Sequence, residues 1–298
     1  MQSRCVWLWL AMALVTGPVL AEPAAPPNLA YFPRPAQVDT RDLRVHITEV
    51  LLADAPTGMN GVARATMQIA VQSQDVTTGQ TVVQSSMSKV SSEIAGRKLK
   101  QVPMPTYCLL LDQQARLLAL GNGDSLPPPN PTVLPGSPPL EVLKAALARG
   151  AGELISQGGV PLQALGLQCA LPLLPDRPVQ MGDTWQASYT CQFEGAGEAT
   201  EEATVALLGL EAGLATFSSN LRYTLPEFEA PNPLLPGQKM KVENAVLELT
   251  DLVQEYELAT SVVRAAHARM TMTLQAVSPD MTLPIKIKAN LTYAAPAR

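Results

Sequence analysis

Alternation of polar and apolar residues with a period of two is the feature that most constrains the fold of this chain. The pattern is clearest in residues 285–288, where isoleucine and lysine alternate, and it recurs in residues 42–48 and in other stretches separated by turn residues. Successive side chains of a strand point to opposite faces, so the pattern predicts strands with one buried and one solvated face. Because such strands must bury their apolar faces against another layer, we predict a mainly β fold of the α+β class. We expect an antiparallel sheet with one or two helices packed on it.

Helical patterns are confined to the middle of the chain. Pro139 precedes apolar residues at helical spacing and Gly150 follows them, which predicts a helix between these two residues. A second helical or irregular stretch is predicted over residues 153–165. Residues 169–178 are apolar and rich in proline, which indicates an ordered connector packed on the core.

The β-rich part of the chain is predicted to form one domain over residues 41–298. Within it, a proline-rich loop and helix at 126–178 join two β-rich stretches at 41–125 and 179–298. A weak likeness between strands of the two stretches predicts two similar halves. Chance similarity is the alternative, because strand sequences converge easily.

Residues 1–21 have the pattern of a cleaved signal peptide. Arg4 supplies a positive start, Cys5–Val15 is an apolar run, and a small-residue site predicts cleavage after Ala21. A membrane anchor is the competing interpretation, but a spanning helix needs about 20 apolar residues. Residues 22–40 follow as an extended segment rich in proline and alanine, either a tether or an unstructured terminus. We therefore predict a periplasmic or secreted protein with no transmembrane segment after cleavage.

Cleavage would leave three cysteines, which are Cys108, Cys169 and Cys191. Export permits disulfides, and an odd count leaves one thiol unpaired. We predict a disulfide between Cys169 and Cys191, because these two flank the same segment. Cys108 is then expected to be a buried small hydrophobe.

The charge of the chain argues against a nucleic-acid partner. The formal net charge is −5, and loss of Arg4 with the leader would leave 20 basic residues against 26 acidic ones. Nucleic-acid binding depends on basic contacts to phosphate, and this balance does not favour them. The acidic excess instead indicates a solubilising surface.

Motifs for catalysis or cofactor binding are not found in the sequence. It contains no nucleophile elbow, HExxH, phosphate-binding loop or dinucleotide fingerprint. His46 and His267 are the only histidines, which is too few for a typical zinc site. Glu198, Glu201 and Glu202 are interpreted as a solvated turn. We predict a non-catalytic protein with no cofactor or metal; a hydrolase that uses an unrecognised pair of carboxylates is the alternative.

The most distinctive motif is Pro175–Trp185, which we interpret as a structural corner. Pro178 stiffens the approach, Gly182 allows a tight turn, Asp183 bonds to nearby backbone amides, and Trp185 buries a large ring as a strand begins. In these residues the chain resembles the DUF6263-like exported bacterial proteins of unknown function, which carry a similar Pro-Val-x-x-Gly-Asp-Thr-Trp corner between two β-rich halves. The resemblance implies a curved antiparallel sheet with helices against one face, like the half-barrels of lipoprotein carriers. It implies no catalytic residues.

Two functions remain open at the level of sequence. The first is an envelope protein that binds an apolar small molecule, such as a lipid, inside the curved sheet. The second is a structural or protein-interaction module of the periplasm or cell surface, with an envelope protein as its partner. A filled core would count against the first function, whereas an exposed apolar patch would favour the second.

Overall fold

The structure is a computed structural model, and it describes residues 29–34, 36–75, 77–98, 104, 106–123, 160–193, 197–231, 239–278 and 281–296. Within these ranges it contains one helix and fourteen strands. The helix, α1, spans Val160–Ala170. In chain order the strands are β1 (Val38–Leu52), β2 (Ala55–Pro56), β3 (Gly61–Asp75), β4 (Gln80–Ile94), β5 (Arg97–Lys98), β6 (Tyr107–Leu111), β7 (Leu117–Asn122), β8 (Thr184–Phe193), β9 (Gly197–Glu211), β10 (Leu214–Thr224), β11 (Phe228–Pro231), β12 (Lys239–Glu257), β13 (Val262–Ser278) and β14 (Met281–Ala294).

Eleven of these strands form one antiparallel sheet in the order β7-β6-β4-β3-β1-β14-β13-β12-β10-β9-β8. The short strands β2, β5 and β11 pair beside this path with β1, β4 and β12. The sheet consists of two meanders, residues 38–122 and 184–294, which meet where β1 pairs with β14 and Val45 lies opposite Leu291. Because the outer strands β7 and β8 contact each other, the sheet curves into a nearly closed barrel.

Bulges help to explain the strong curvature. The longest strand, β12, shifts its register against β13 near residues 244 and 251. At these points Asn244 and Asp251 have φ angles of 52° and 51°, a conformation that short polar residues tolerate. An extra residue on one strand bends that strand and increases its right-handed twist. The bulges therefore turn what would be a flatter sheet into a curved one.

The inner face of the barrel forms one apolar core, to which strands of both meanders contribute. Strand β1 shows the alternation, because Leu43 and Val45 are buried whereas Arg44 and His46 beside them are exposed. Helix α1 lies on this inner face, against β13 and β14. The core thus sits between the sheet and the segment that contains α1.

The predicted mainly β fold with a curved antiparallel sheet is confirmed. Of the predicted helical segments, the one between Pro139 and Gly150 lies outside the described residues, as does the predicted signal peptide at 1–21. Of the second predicted segment, 153–165, residues 153–159 lie outside the described residues, and the described helix Val160–Ala170 continues past the predicted end. The connector therefore begins after Ala170 and not at Cys169.

The segment predicted as an extended tether is partly buried. Residues 29–34 have no regular secondary structure, but Leu29 and Tyr31 are only 2% and 3% exposed and belong to the core. The backbone N–H of Tyr31 donates to the carbonyl oxygen of Gln113 at 2.7 Å. This part of the chain is therefore held on the barrel, because its apolar side chains find partners there.

Candidate functional site

The interior of the barrel is the candidate site, because apolar side chains from both meanders converge there on one short helix. We call the surface that holds α1 the helix seat. It comprises Leu43 of β1, Met67 of β3, Met87 of β4, Glu201 of β9 and Gln254 of β12. The first three of these residues make an apolar contact with α1, and the last two make hydrogen bonds to it.

Gly166 lets α1 approach the helix seat closely. A Cβ atom at this position would lie 2.6 Å from Met67 Sδ, 3.0 Å from Met87 Cε and 3.4 Å from Leu43 Cδ2. A larger residue would therefore push α1 away from the sheet or force Met67 to move. Methionine side chains are flexible and fill irregular spaces, so this end of the seat can adapt its shape to what it holds.

A buried carboxyl group interrupts the apolar interior. Glu201 is 0% exposed, and its Oε2 accepts a hydrogen bond from Gln168 Nε2 at 2.8 Å and another from the Tyr189 hydroxyl. Its Oε1 is buried and has no hydrogen-bond partner among the residues that the structure describes. Burial raises the pKa of Glu201 from its ordinary value of 4.5 to about 7, although the two hydrogen bonds act to lower it. Both protonation states are therefore accessible near neutral pH.

A second polar residue holds the end of α1. Gln254 is 2% exposed, and its Nε2 donates to the carbonyl oxygens of Gln168 and Cys169, each at 3.1 Å. These carbonyls belong to the last turn of the helix, which lacks partners within the helix itself. Glu201 and Gln254 therefore fix the carboxyl-terminal end of α1, while Gly166 provides the apolar contact one turn earlier.

Trp185 connects the segment after α1 to the sheet. Its Nε1 donates to the carbonyl oxygen of Leu173 at 3.1 Å, and its ring lies edge-on to Phe217 with centroids 6.0 Å apart. The side chain is partly buried against the core and shares a face of β8 with Tyr189. The fluorescence of Trp185 should therefore respond to changes inside the barrel.

The other corner residues form the turn that leads into β8. Gly182 has a φ of 90°, which favours glycine because other residues are strained there. Asp183 Oδ2 accepts a hydrogen bond from the backbone N–H of Gln180 at 3.0 Å. The backbone of Gly182 and Asp183 pairs with Leu207 of β9, while Pro178 is exposed. These contacts bind the turn to the sheet.

The predicted disulfide between Cys169 and Cys191 is not formed, because the structure gives Cys169 as a free cysteine. Cys169 is 0% exposed on α1, and burial raises the pKa of its thiol to about 12. It packs as a small hydrophobe in the core. The side chain of Cys191 lies outside the described residues. Cys108 is a free, buried cysteine, as expected.

A second polar group lies inside the barrel near the start of β1. Asp39 and Arg41 form an ion pair at 2.8 Å, with each side chain 17% exposed. Burial raises the pKa of Asp39, and the Arg41 charge opposes that rise. The neighbouring cavity, beside Tyr31 and Tyr293, has a volume of about 20 Å³. That is room for about one water molecule, so an organic ligand could not bind there without rearrangement.

Two larger depressions are lined by exposed polar residues. One, of about 620 Å³, includes His46, Arg64 and Lys98, and the other, of about 600 Å³, includes Glu202 and Arg222. Within the described ranges no group of three or more histidine, cysteine, aspartate or glutamate residues could hold a metal ion. None of the helical segments described reaches the length and apolarity needed to cross a membrane.

The interpretation of Glu198, Glu201 and Glu202 as a solvated turn is wrong, because none of the three lies in a turn and Glu201 is not solvated. The three residues lie in strand β9, where Glu202 is exposed and Glu201 is buried. Alternation along residues 199–207 contains the signal, because every second residue from Ala199 is apolar except Glu201. A glutamate in the apolar phase of a strand is a candidate for a buried, functional carboxyl group.

The chain matches no family model and no characterised protein. A solved structure described as lipid-protein interactions in lipovitellin is similar over 89% of this chain and 26% of that chain. The sequence identity of the two is 11%, and the TM-score is 0.39. This chain therefore spans about a quarter of the length of that structure. The resemblance to DUF6263-like proteins stays a prediction.

Proposed function

We propose that this chain is an exported, non-catalytic protein of the cell envelope that binds an apolar ligand, such as a lipid, at the helix seat. The observation that carries the proposal is the interior itself. A nearly closed sheet presents a continuous apolar face to one short helix, and the contact between them runs through a glycine and two methionines. Because methionine side chains are flexible, this contact can adapt to apolar ligand chains of different shapes.

Buried side chains fill the described interior, which counts against a preformed cavity, so the proposed function requires the ligand to replace α1. Helix α1 has 11 residues, and a helix of this length is only marginally stable alone in water. Its described hydrogen bonds to the seat are those of Glu201 and Gln254. Each CH₂ group that a ligand buries contributes about 0.8 kcal/mol. A long apolar chain is therefore needed to offset the loss of the α1 contacts.

Export is supported by the signal-peptide pattern of residues 1–21. The mass of the protein recovered from the periplasm or the medium tests this part of the proposal, because cleavage after Ala21 predicts a chain that begins at Glu22. A full-length chain recovered only from the cytoplasm would contradict it.

Native mass spectrometry tests the binding function. The protein is purified without detergent from its native compartment and measured before and after solvent extraction. We expect a stoichiometric apolar adduct that extraction removes, or binding of an added twelve-carbon alcohol or acid to the extracted protein. A protein that carries no adduct and binds neither probe would refute the proposal.

A variant that locks α1 in place tests whether the ligand replaces this helix. Gly166→Cys combined with Met67→Cys puts two thiols at the closest contact, and loss of the methionine side chain removes the clash at Gly166. We expect the oxidised double variant to lose ligand binding and the reduced form to regain it. Each single variant serves as the matched control. Equal binding by the oxidised and reduced forms would show that the ligand binds elsewhere.

An exposed apolar pair favours the second candidate function, a protein-interaction module. Met181 and Leu208 are 70% and 53% exposed, and the pairing of Gly182 with Leu207 brings their backbones together. Substitution of both by serine should abolish capture of an envelope protein if that function is correct. It should leave binding of apolar ligands unchanged if the first proposal is correct.

A further inference from the structure

Glu201 occupies a position where the fold otherwise places apolar side chains. On β9 it lies directly opposite Tyr189 of β8 and Tyr223 of β10, so the three side chains form a row across the inner face of the sheet. Its neighbour Ala203 on the same face is buried, whereas Glu202 is exposed. A fully buried glutamate is rare in proteins unless its charge is paired, and no positively charged group contributes to the pKa shift of Glu201.

The hydrogen bonds of Glu201 are incomplete. Oε2 accepts the two described hydrogen bonds, from Tyr189 and Gln168. Oε1 is buried and accepts no hydrogen bond within the described part of the chain. A buried acceptor without a donor costs about 1–3 kcal/mol of stability. A ligand that supplies a donor to Oε1 would recover this free energy on binding. The site therefore favours a molecule with a hydrogen-bond donor at the end of an apolar body.

We propose that Glu201 is the polar anchor of the helix seat, and that its free carboxyl oxygen accepts a hydrogen bond from the hydroxyl group of a neutral long-chain lipid. This inference rests on the proposed function, because it assigns the ligand class of the same site. When the ligand replaces α1, the donor from Gln168 is lost, and Tyr189 remains as the protein's own donor to Oε2.

The same geometry disfavours a fatty acid. Burial raises the pKa of Glu201, and loss of the Gln168 donor, which acts to lower that pKa, shifts it further in the same direction. In its ionised form the group can only accept hydrogen bonds. A ligand carboxylate would place a second negative charge in the same dry interior, which strongly disfavours double ionisation. A hydroxyl group adds no charge and donates to the free oxygen.

Two probes of equal chain length test the anchor, namely dodecanol and dodecanoate. Affinities of the extracted protein are measured from Trp185 fluorescence and by native mass spectrometry at a series of pH values above neutrality, so that the ionised form of Glu201 is sampled. We expect dodecanol to bind at least about tenfold more tightly than dodecanoate. A hydrogen bond to a charged group has about this effect on affinity.

Substitutions then assign the preference to Glu201. Glu201→Leu should weaken dodecanol binding by about tenfold, because the acceptor is lost. Glu201→Gln should retain dodecanol binding, because its amide oxygen still accepts, and it should strengthen dodecanoate binding, because the charge is removed. Glu202→Gln removes a charge from the exposed face of the same strand and should change neither affinity.

The outcomes separate the anchor from the proposed function. Binding of neither probe to the unaltered protein overturns both proposals. Binding of both probes with equal affinity, or a preference for dodecanoate, overturns the anchor and leaves the apolar binding function intact. A dodecanol preference that persists in Glu201→Leu would show that another residue accepts the hydrogen bond from the ligand hydroxyl, and would overturn the anchor. If Glu201→Leu does not fold, the change in relative affinity caused by Glu201→Gln decides the question alone.

Discussion

Replacement of Glu201 by glutamine should change how the stability of the protein depends on pH. The folded state raises the pKa of this carboxyl group from 4.5 to about 7, so the folded protein keeps its proton where the unfolded chain loses it. The contribution of the protonated group is therefore complete below about pH 4.5, decreases as the pH rises, and is lost above about pH 7. Glutamine has the shape of the protonated group and does not titrate.

The size of the effect follows from the shift. Each pKa unit corresponds to about 1.4 kcal/mol, so a rise from 4.5 to about 7 removes about 3 kcal/mol of unfolding free energy between acid and neutral pH. Asp39 also has a pKa raised by burial and adds a loss in the same direction. Because Asp39 is present in both proteins, its contribution cancels in the difference between them.

Urea unfolding at a series of pH values measures this difference. We expect the unfolding free energy of Glu201→Gln relative to the unaltered protein to rise by about 3 kcal/mol from about pH 4 to about pH 8. The matched control, Glu202→Gln, lies one residue away on the exposed face and should give a flat difference. A flat difference for Glu201→Gln as well would refute the claim that this carboxyl group is buried without a compensating charge.

Three further predictions concern the packing of the interior. Gly166→Val should destabilise the protein by roughly 1–3 kcal/mol through overpacking. Met67→Ala should reduce this loss in the double variant. If the losses of stability of the two single variants simply add in the double variant, the close contact is contradicted. Trp185→Phe should cost about 1 kcal/mol or more in thermal or urea unfolding, because the carbonyl oxygen of Leu173 loses its donor; unchanged stability would place the indole outside the core. Cys169 should resist alkylation in the folded protein and react in urea, as mapped by peptide mass, since it is buried with a raised pKa; rapid labelling of the native protein would contradict the position of α1.

The alternation of polar and apolar residues predicts the fold class, because within each strand it shows which face is buried. Residues 42–48 show this well: the apolar residues of the pattern face the core, and Arg44 and His46 are exposed. The position of α1 inside the sheet could not be predicted in the same way. Its sequence is apolar around most of its circumference, so periodicity gives neither its orientation nor its limits.

The candidate site was harder to predict than the fold. Glu198, Glu201 and Glu202 lie close together in the sequence, which favours a common solvated segment, although the phase of the strand separates Glu201 from Glu202. The contacts that define the site join residues far apart in the chain, such as Gln168 with Glu201 and Gln254 with Cys169. Pairings of this kind depend on the closed topology and leave no local signal.

The pairing of β1 with β14 has a consequence for how the chain reaches its folded state. Val45 and its partner Leu291 are about 250 residues apart, so at about 5–20 residues per second the ribosome needs roughly 10–50 s to deliver the second after the first. During that time β1 is an edge strand of the first meander without its partner β14, and an unpaired edge strand can pair with another chain. Contacts of such long range also make folding slow. The sheet cannot be completed until β14 arrives, and loss of β14 would leave an open edge on each meander.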